Sequence, residues 1–191
     1  TRYPDSVGYG AALSPDGEQL AWFENGSLNV TEVDGSGTAR IYFDSLGPVL
    51  SEVAWSRDGG SVAYVSYFFS QTTGAPQDIR LWTRRFSDGF ARPVATISSI
   101  PDALAWSRDA KWLTFITAAG EIHRVRTDGA GPEQVVYGGG TAPARSSSWG
   151  PGDSLLAIAT GSGVLLVRPD GTGARTLVSG KFALEFAAWR D

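Results

Sequence analysis

Cysteine is missing from all 191 residues, which excludes disulfides, thiol nucleophiles and thiolate-bound metals. Methionine is missing too and the chain opens at Thr1, so the natural start is expected to lie outside it, leaving room for a removed signal peptide or anchor. No apolar run approaches the roughly 20 residues a membrane helix needs, and direct membrane insertion is not expected. Positive charge is scarce: 16 Lys and Arg stand against 20 Asp and Glu, for a net charge of -4. Without a general basic field, nucleic acid is set aside as a partner. Gly-x-Ser-x-Gly, the phosphate-binding Gly-x-x-x-x-Gly-Lys-Ser/Thr and His-Glu-x-x-His are all absent, and with them the commonest signatures of nucleophilic, nucleotide and zinc chemistry.

What is present points to strands. With 24 Gly, 10 Pro and 12% aromatic residues, many short strands joined by tight turns are favoured over helices. One anchor recurs: Leu13-Ser14-Pro15-Asp16-Gly17, Trp55-Ser56-Arg57-Asp58-Gly59, Trp106-Ser107-Arg108-Asp109-Ala110, Trp149-Gly150-Pro151-Gly152-Asp153 and the terminal Trp189-Arg190-Asp191. The spacings between successive anchors are 42, 51, 43 and 40 residues, the length of a four-stranded propeller blade.

Seven residues after each complete anchor stands Leu20, Val62, Leu113 or Leu156, and two further on Trp22, Tyr64, Phe115 or Ile158, with Ala21, Ala63, Thr114 or Ala157 between. Such large-small-large alternation is that of a strand with one bulky and one small face. A third strand follows around 28–33, 79–83, 122–126 and 164–168, then a turn at Asp34-Gly35, Asp88-Gly89, Asp128-Gly129 or Asp170-Gly171. The fourth strand, at 40–43, 92–97, 133–137 and 175–178, is the poorest in bulky apolar residues, and Pro93 suits an edge. The fold class is therefore all-β: a β-propeller of four-stranded antiparallel blades, four repeats plus the first strand of a fifth. The repeats run at about 7–50, 51–101, 102–145 and 146–181, with a fifth starting at 182–191. This makes 1–191 a single propeller domain or a propeller fragment. It is cut from a longer ring, closes as a small one, or is completed by a second copy in a dimer.

The segments Ala12-Leu13-Ser14-Pro15-Asp16-Gly17-Glu18-Gln19-Leu20-Ala21-Trp22 and Val53-Ala54-Trp55-Ser56-Arg57-Asp58-Gly59-Gly60-Ser61-Val62-Ala63-Tyr64 resemble the TolB-type, WD-like propeller repeat over nearly the whole chain. Leu13 in place of the aromatic anchor, Ala110 in place of the turn glycine and the reversed Gly152-Asp153 depart from it. The resemblance implies a bacterial periplasmic, secreted or cell-surface protein that binds partners, and no catalytic residues. Fourteen arginines against two lysines suit a GC-rich, actinobacterial exported protein or lipoprotein.

No cofactor or metal is expected. His123, the single histidine, reads as a third-strand residue, and the Asp-Gly pairs read as turns. The 51-residue second repeat holds roughly ten extra residues at 66–78, with Tyr67, Phe68 and Phe69 at their base. These three either extend the strand and pack on the next blade or form a partner-binding aromatic patch. In a propeller the turns between second and third strands share a face with the connections entering each innermost strand. That face would also carry Glu52, Asp102, the segment from Gly138-Gly139-Gly140 to Arg145, and Glu185. The expected function is a non-catalytic module of an exported or envelope protein, binding another protein or a small ligand on this face. The alternatives are the propeller portion of a larger hydrolase or peptidase, and an extracellular sensor domain.

Overall fold

A computed structural model of the chain describes residues 10–24, 26–43 and 49–180, so the expected fifth-repeat strand lies outside the described residues. The chain divides into two compact units, Thr1–Ile100 and Pro101–Asp191. Each holds two four-stranded antiparallel sheets whose strands are ordered as in the chain.

In the first unit, β1 (Ala11–Leu13), β2 (Gln19–Glu24), β3 (Ser27–Glu32) and β4 (Thr38–Phe43) form one blade. The second blade comprises β5 (Val49–Trp55), β6 (Ser61–Phe69), β7 (Pro76–Arg85) and β8 (Ala91–Thr96). In the second unit, β9 (Ala103–Trp106), β10 (Trp112–Ile116), β11 (Ile122–Arg126) and β12 (Gln134–Tyr137) form one blade. The other is β13 (Ala144–Trp149), β14 (Leu156–Thr160), β15 (Gly163–Val167) and β16 (Arg175–Ser179).

In the second, third and fourth repeats the large-small-large triplets become second strands buried on both faces, while in the first Leu20 and Trp22 stay half-buried around a buried Ala21. Val62, Ala63 and Tyr64 are wholly inaccessible, as are Leu113, Thr114, Leu156 and Ile158. The small position has a visible purpose in the second unit, where the Trp149 indole Nε1 donates to Thr114 Oγ1 at 3.2 Å. In the first unit the Trp55 Nε1 donates to the Ala12 carbonyl at 2.8 Å. Trp55 and Trp149 thus each reach back into the preceding sheet of their own unit. A single sheet would leave these faces wet, and burying one large apolar side chain contributes about 1.5–3 kcal/mol. Pairing of sheets is therefore what makes the blades stable. The outermost strands fit their poverty in apolar residues: β16 is exposed throughout, and Pro93 sits on β8 opposite Trp82.

Local polar chemistry explains the anchors. Ser14, Ser56 and Ser107 each donate through Oγ to the aspartate two residues on, at 2.5, 2.6 and 2.7 Å. Each Oγ also accepts the amide five residues on, of Gln19, Ser61 and Trp112, at 2.9 Å. The turn of the third repeat keeps this pattern although Ala110 occupies a left-handed conformation, φ 57°. The fourth repeat, lacking the serine, instead forms a short 3-10 turn over Pro151–Asp153.

Candidate binding surface

The insertion of the second repeat is a lengthened hairpin. β6 spans nine residues and β7 ten, whereas the second and third strands of the other blades have five or six. Tyr67, Phe68 and Phe69 are strand residues, with Phe68 opposite Gln77 and Phe69 opposite Pro76, and only 70–75 lie beyond the ladder. Their roles divide where β5 ends: Tyr67 still pairs with Val49, whereas Phe68 and Phe69 run on beyond it, paired with β7 alone. Tyr67 is buried, with its ring edge-on to that of Phe69 at 5.4 Å, while Phe68 and Phe69 are 39% and 49% exposed. From Tyr67 to Gln77 the hairpin carries no charged residue, and the Asp78–Arg80 ion pair at 2.9 Å closes its base.

Glu52 and Arg145 both sit at bulges of innermost strands. β5 pairs Ser51 with Val65 and then Val53 with Tyr64, passing over Glu52, whose φ is 46°. β13 pairs Ala144 with Thr160 and then Ser146 with Ala159, passing over Arg145. A bulge re-aims the side chain it carries and often borders a functional site. Asp102 occupies the position just before β9, where its amide donates to the Ile116 carbonyl at 2.9 Å. Glu185 lies outside the described residues.

Asp102 and Arg145 both line one concavity of the second unit, about 430 Å³ in volume, together with Ala118, Gly120, Pro143 and Ala144. It joins the turn after β10 to the connection entering β13, the pairing of loops that propeller topology calls for. Its wall is stiff. Gly120 has φ 73°, and its carbonyl accepts the Ala144 amide at 2.9 Å. A methyl group on Gly120 would stand 2.3 Å from Pro143 Cβ. The Tyr137 hydroxyl donates to the Ala142 carbonyl at 2.6 Å, tying down the glycine-rich segment. Pro143 lies in the segment 138–145 that the sequence places on this face, whereas Gly120 has no such signal. The only signal was a glycine at the turn after an apolar strand, which marks a turn but not the neighbour it will touch.

His123 is mostly buried between Glu121 and Glu133; its Nε2 lies 3.1 Å from Glu121 Oε2, and its Nδ1 meets Glu133 Oε1. The Asp-Gly pairs are turns, as at Asp128, whose Oδ1 accepts the Ala130 amide at 2.9 Å. The Arg126 guanidinium holds the Asp128 carboxyl down at about 2.

Comparison with solved structures shows what this arrangement of sheets is. The β-propeller domain of Myceliophteria thermophila Cps50 (Swd1) matches over 95% of this chain and 58% of its own, at TM-score 0.68 and 11% identity. The chain has a β-propeller fold. Dipeptidyl peptidase 4 of Porphyromonas gingivalis matches over 90% of this chain and 32% of its own, at TM-score 0.63 and 11% identity. TolB of Acinetobacter baumannii matches over 90% of this chain and 41% of its own, at TM-score 0.58 and 15% identity. The TolB-type, WD-like reading of the repeats therefore holds as a fold. The chain spans between 32% and 58% of the length of these three structures. No protein-family model and no curated protein matches the chain. No helix among the described residues is long and apolar enough to cross a membrane.

Proposed function

We propose that this propeller is a non-catalytic binding module of a bacterial exported or envelope protein, and that it engages a partner protein through the β6–β7 hairpin. The observation that carries the reading is the exposure of Phe68 and Phe69 on a hairpin longer than any other in the described sheets. An aromatic pair on a rigid two-stranded support loses little conformational freedom on docking, and aromatic residues are enriched where interfaces gain most of their affinity. The repeats are taken to divide at about 7–50, 51–101, 102–145 and 146–181, with Glu52, Asp102, Arg145 and Glu185 completing the loop face.

The test places a photo-crosslinking residue at position 69 of the full chain and exposes it to extract of the source cells. One discrete adduct that Phe68→Ser abolishes and Phe90→Ser leaves intact would support the reading. An adduct pattern the same as that of a probe at position 92, or one indifferent to Phe68→Ser, would overturn it.

A second reading has an observation of its own. The match to dipeptidyl peptidase 4 extends over 90% of this chain, in keeping with a propeller that accompanies a hydrolase. Under it the hairpin would contact another part of the same protein.

A further inference from the structure

The concavity of the second unit carries two opposite charges that do not meet. Asp102 and Arg145 both line it, yet neither has an ion pair or a side-chain hydrogen bond among the described residues. Each is held from a different direction. The backbone of Asp102 is held at the mouth of β9 by the hydrogen bond its amide donates to the Ile116 carbonyl. Arg145 projects from the β13 bulge with its guanidinium over the backbone of Gly161, whose added Cβ would lie 3.8 Å from both Nε and Nη2. The other lining residues, Ala118, Gly120, Pro143 and Ala144, are all small, and Gly120 packs closely on Pro143.

From this we infer a small-molecule site for zwitterions that carry an ammonium and a carboxylate group, such as short peptides. The guanidinium offers a planar fork matched to a carboxylate, and the aspartate accepts from an ammonium. A simple anion would meet Asp102 and a simple cation Arg145, so a ligand with both charges is selected over either. About 430 Å³ lies within the range of roughly 300–1,000 Å³ that small-ligand clefts occupy. The small lining residues leave space for short side chains and supply no aromatic ring for a flat ligand.

The probes are dialanine, N-acetyl-dialanine and dialanine amide, titrated into the intact chain while backbone amide resonances are followed. Dialanine is expected to shift Ala118, Gly120 and Ala144 saturably, with each blocked form binding at least about tenfold more weakly. Arg145→Gln should erase the preference for the free carboxylate but keep that for the free ammonium; Asp102→Asn should do the reverse. Equal binding by the three probes, or no saturable shift with any of them on the unsubstituted chain, overturns the inference. That holds even if a variant fails to fold.

Discussion

The carboxylate of Asp153 accepts the backbone amides of Arg108 and Asp109, at 2.7 and 2.9 Å, joining the anchor turns of two successive blades in the second unit. The fourth repeat has no serine to satisfy its own turn, and its aspartate, at φ 54°, turns to the neighbouring blade. Hydrogen bonds to a charged acceptor contribute about 1.5–3 kcal/mol each at most. Asp153→Ala is therefore expected to destabilise the chain by about 3 kcal/mol or more in urea unfolding, through two lost acceptors and an alanine left at positive φ. Asp153→Asn, which tolerates that backbone and keeps one acceptor, should lose less than half as much.

Ser56 is wholly buried, and its hydroxyl both donates to Asp58 and accepts from Ser61. Ser56→Ala leaves the Ser61 amide unsatisfied and is expected to cost about 1–3 kcal/mol, read from the denaturant midpoint at constant slope.

Acid should lower the stability of the chain in a defined window. The carboxyls of Asp16, Asp34, Asp58 and Asp170 are held below their usual value, first by the hydroxyls of Ser14, Ser36, Ser56 and Thr172 and then by backbone amides. Asp128 is held at about 2, first by Arg126. Because these folded values lie below the unfolded one of 3.8, the stabilisation is complete above that pH and is lost as pH falls through the folded values. Thermal midpoints should hold steady down to about pH 5 and decline towards about pH 2. In Ser56→Ala the decline should be shallower, since Asp58 loses its chief hydrogen-bond donor.

Gly120→Ala combines a positive φ with a methyl 2.3 Å from Pro143 Cβ and 2.8 Å from its Cα. Neither neighbour is a flexible side-chain end, so the expected cost is about 2–4 kcal/mol from strain and overpacking together. Amide shifts should spread through 138–145 and leave the first unit unchanged.

Trp55→Phe removes the donor to the Ala12 carbonyl while keeping a ring against Phe86, 5.3 Å away between centroids. The expected loss is about 1–2 kcal/mol, measured by calorimetry.

The architecture was legible because its determinants are local. Ser56 and Asp58 stand two residues apart, and the triplet from Val62 to Tyr64 shows its alternation directly. Pro93 marked an outer strand for the same reason. The reach of Asp153 was not legible, since its acceptors serve amides 44 and 45 residues earlier, a relation created only when two sheets pack. Likewise the extra residues at 66–78 were visible as length. Their division into ladder and tip depends on the register of Phe68 with Gln77, which has no periodic signature. Loop topology alone places Asp102 and Arg145 on one face, and the structure gathers them at one cavity; that Gly120 packs on Pro143 to shape it emerges only from contact.

The bulge at Arg145 also bears on how such a surface changes over generations. A residue that the ladder passes over contributes no cross-strand pair, so its side chain can be exchanged without shifting the register of β13 against β14. Selectivity at that position is thereby uncoupled from folding. A lineage could invert the charge facing the cavity by a single substitution at Arg145 while every strand stays in place.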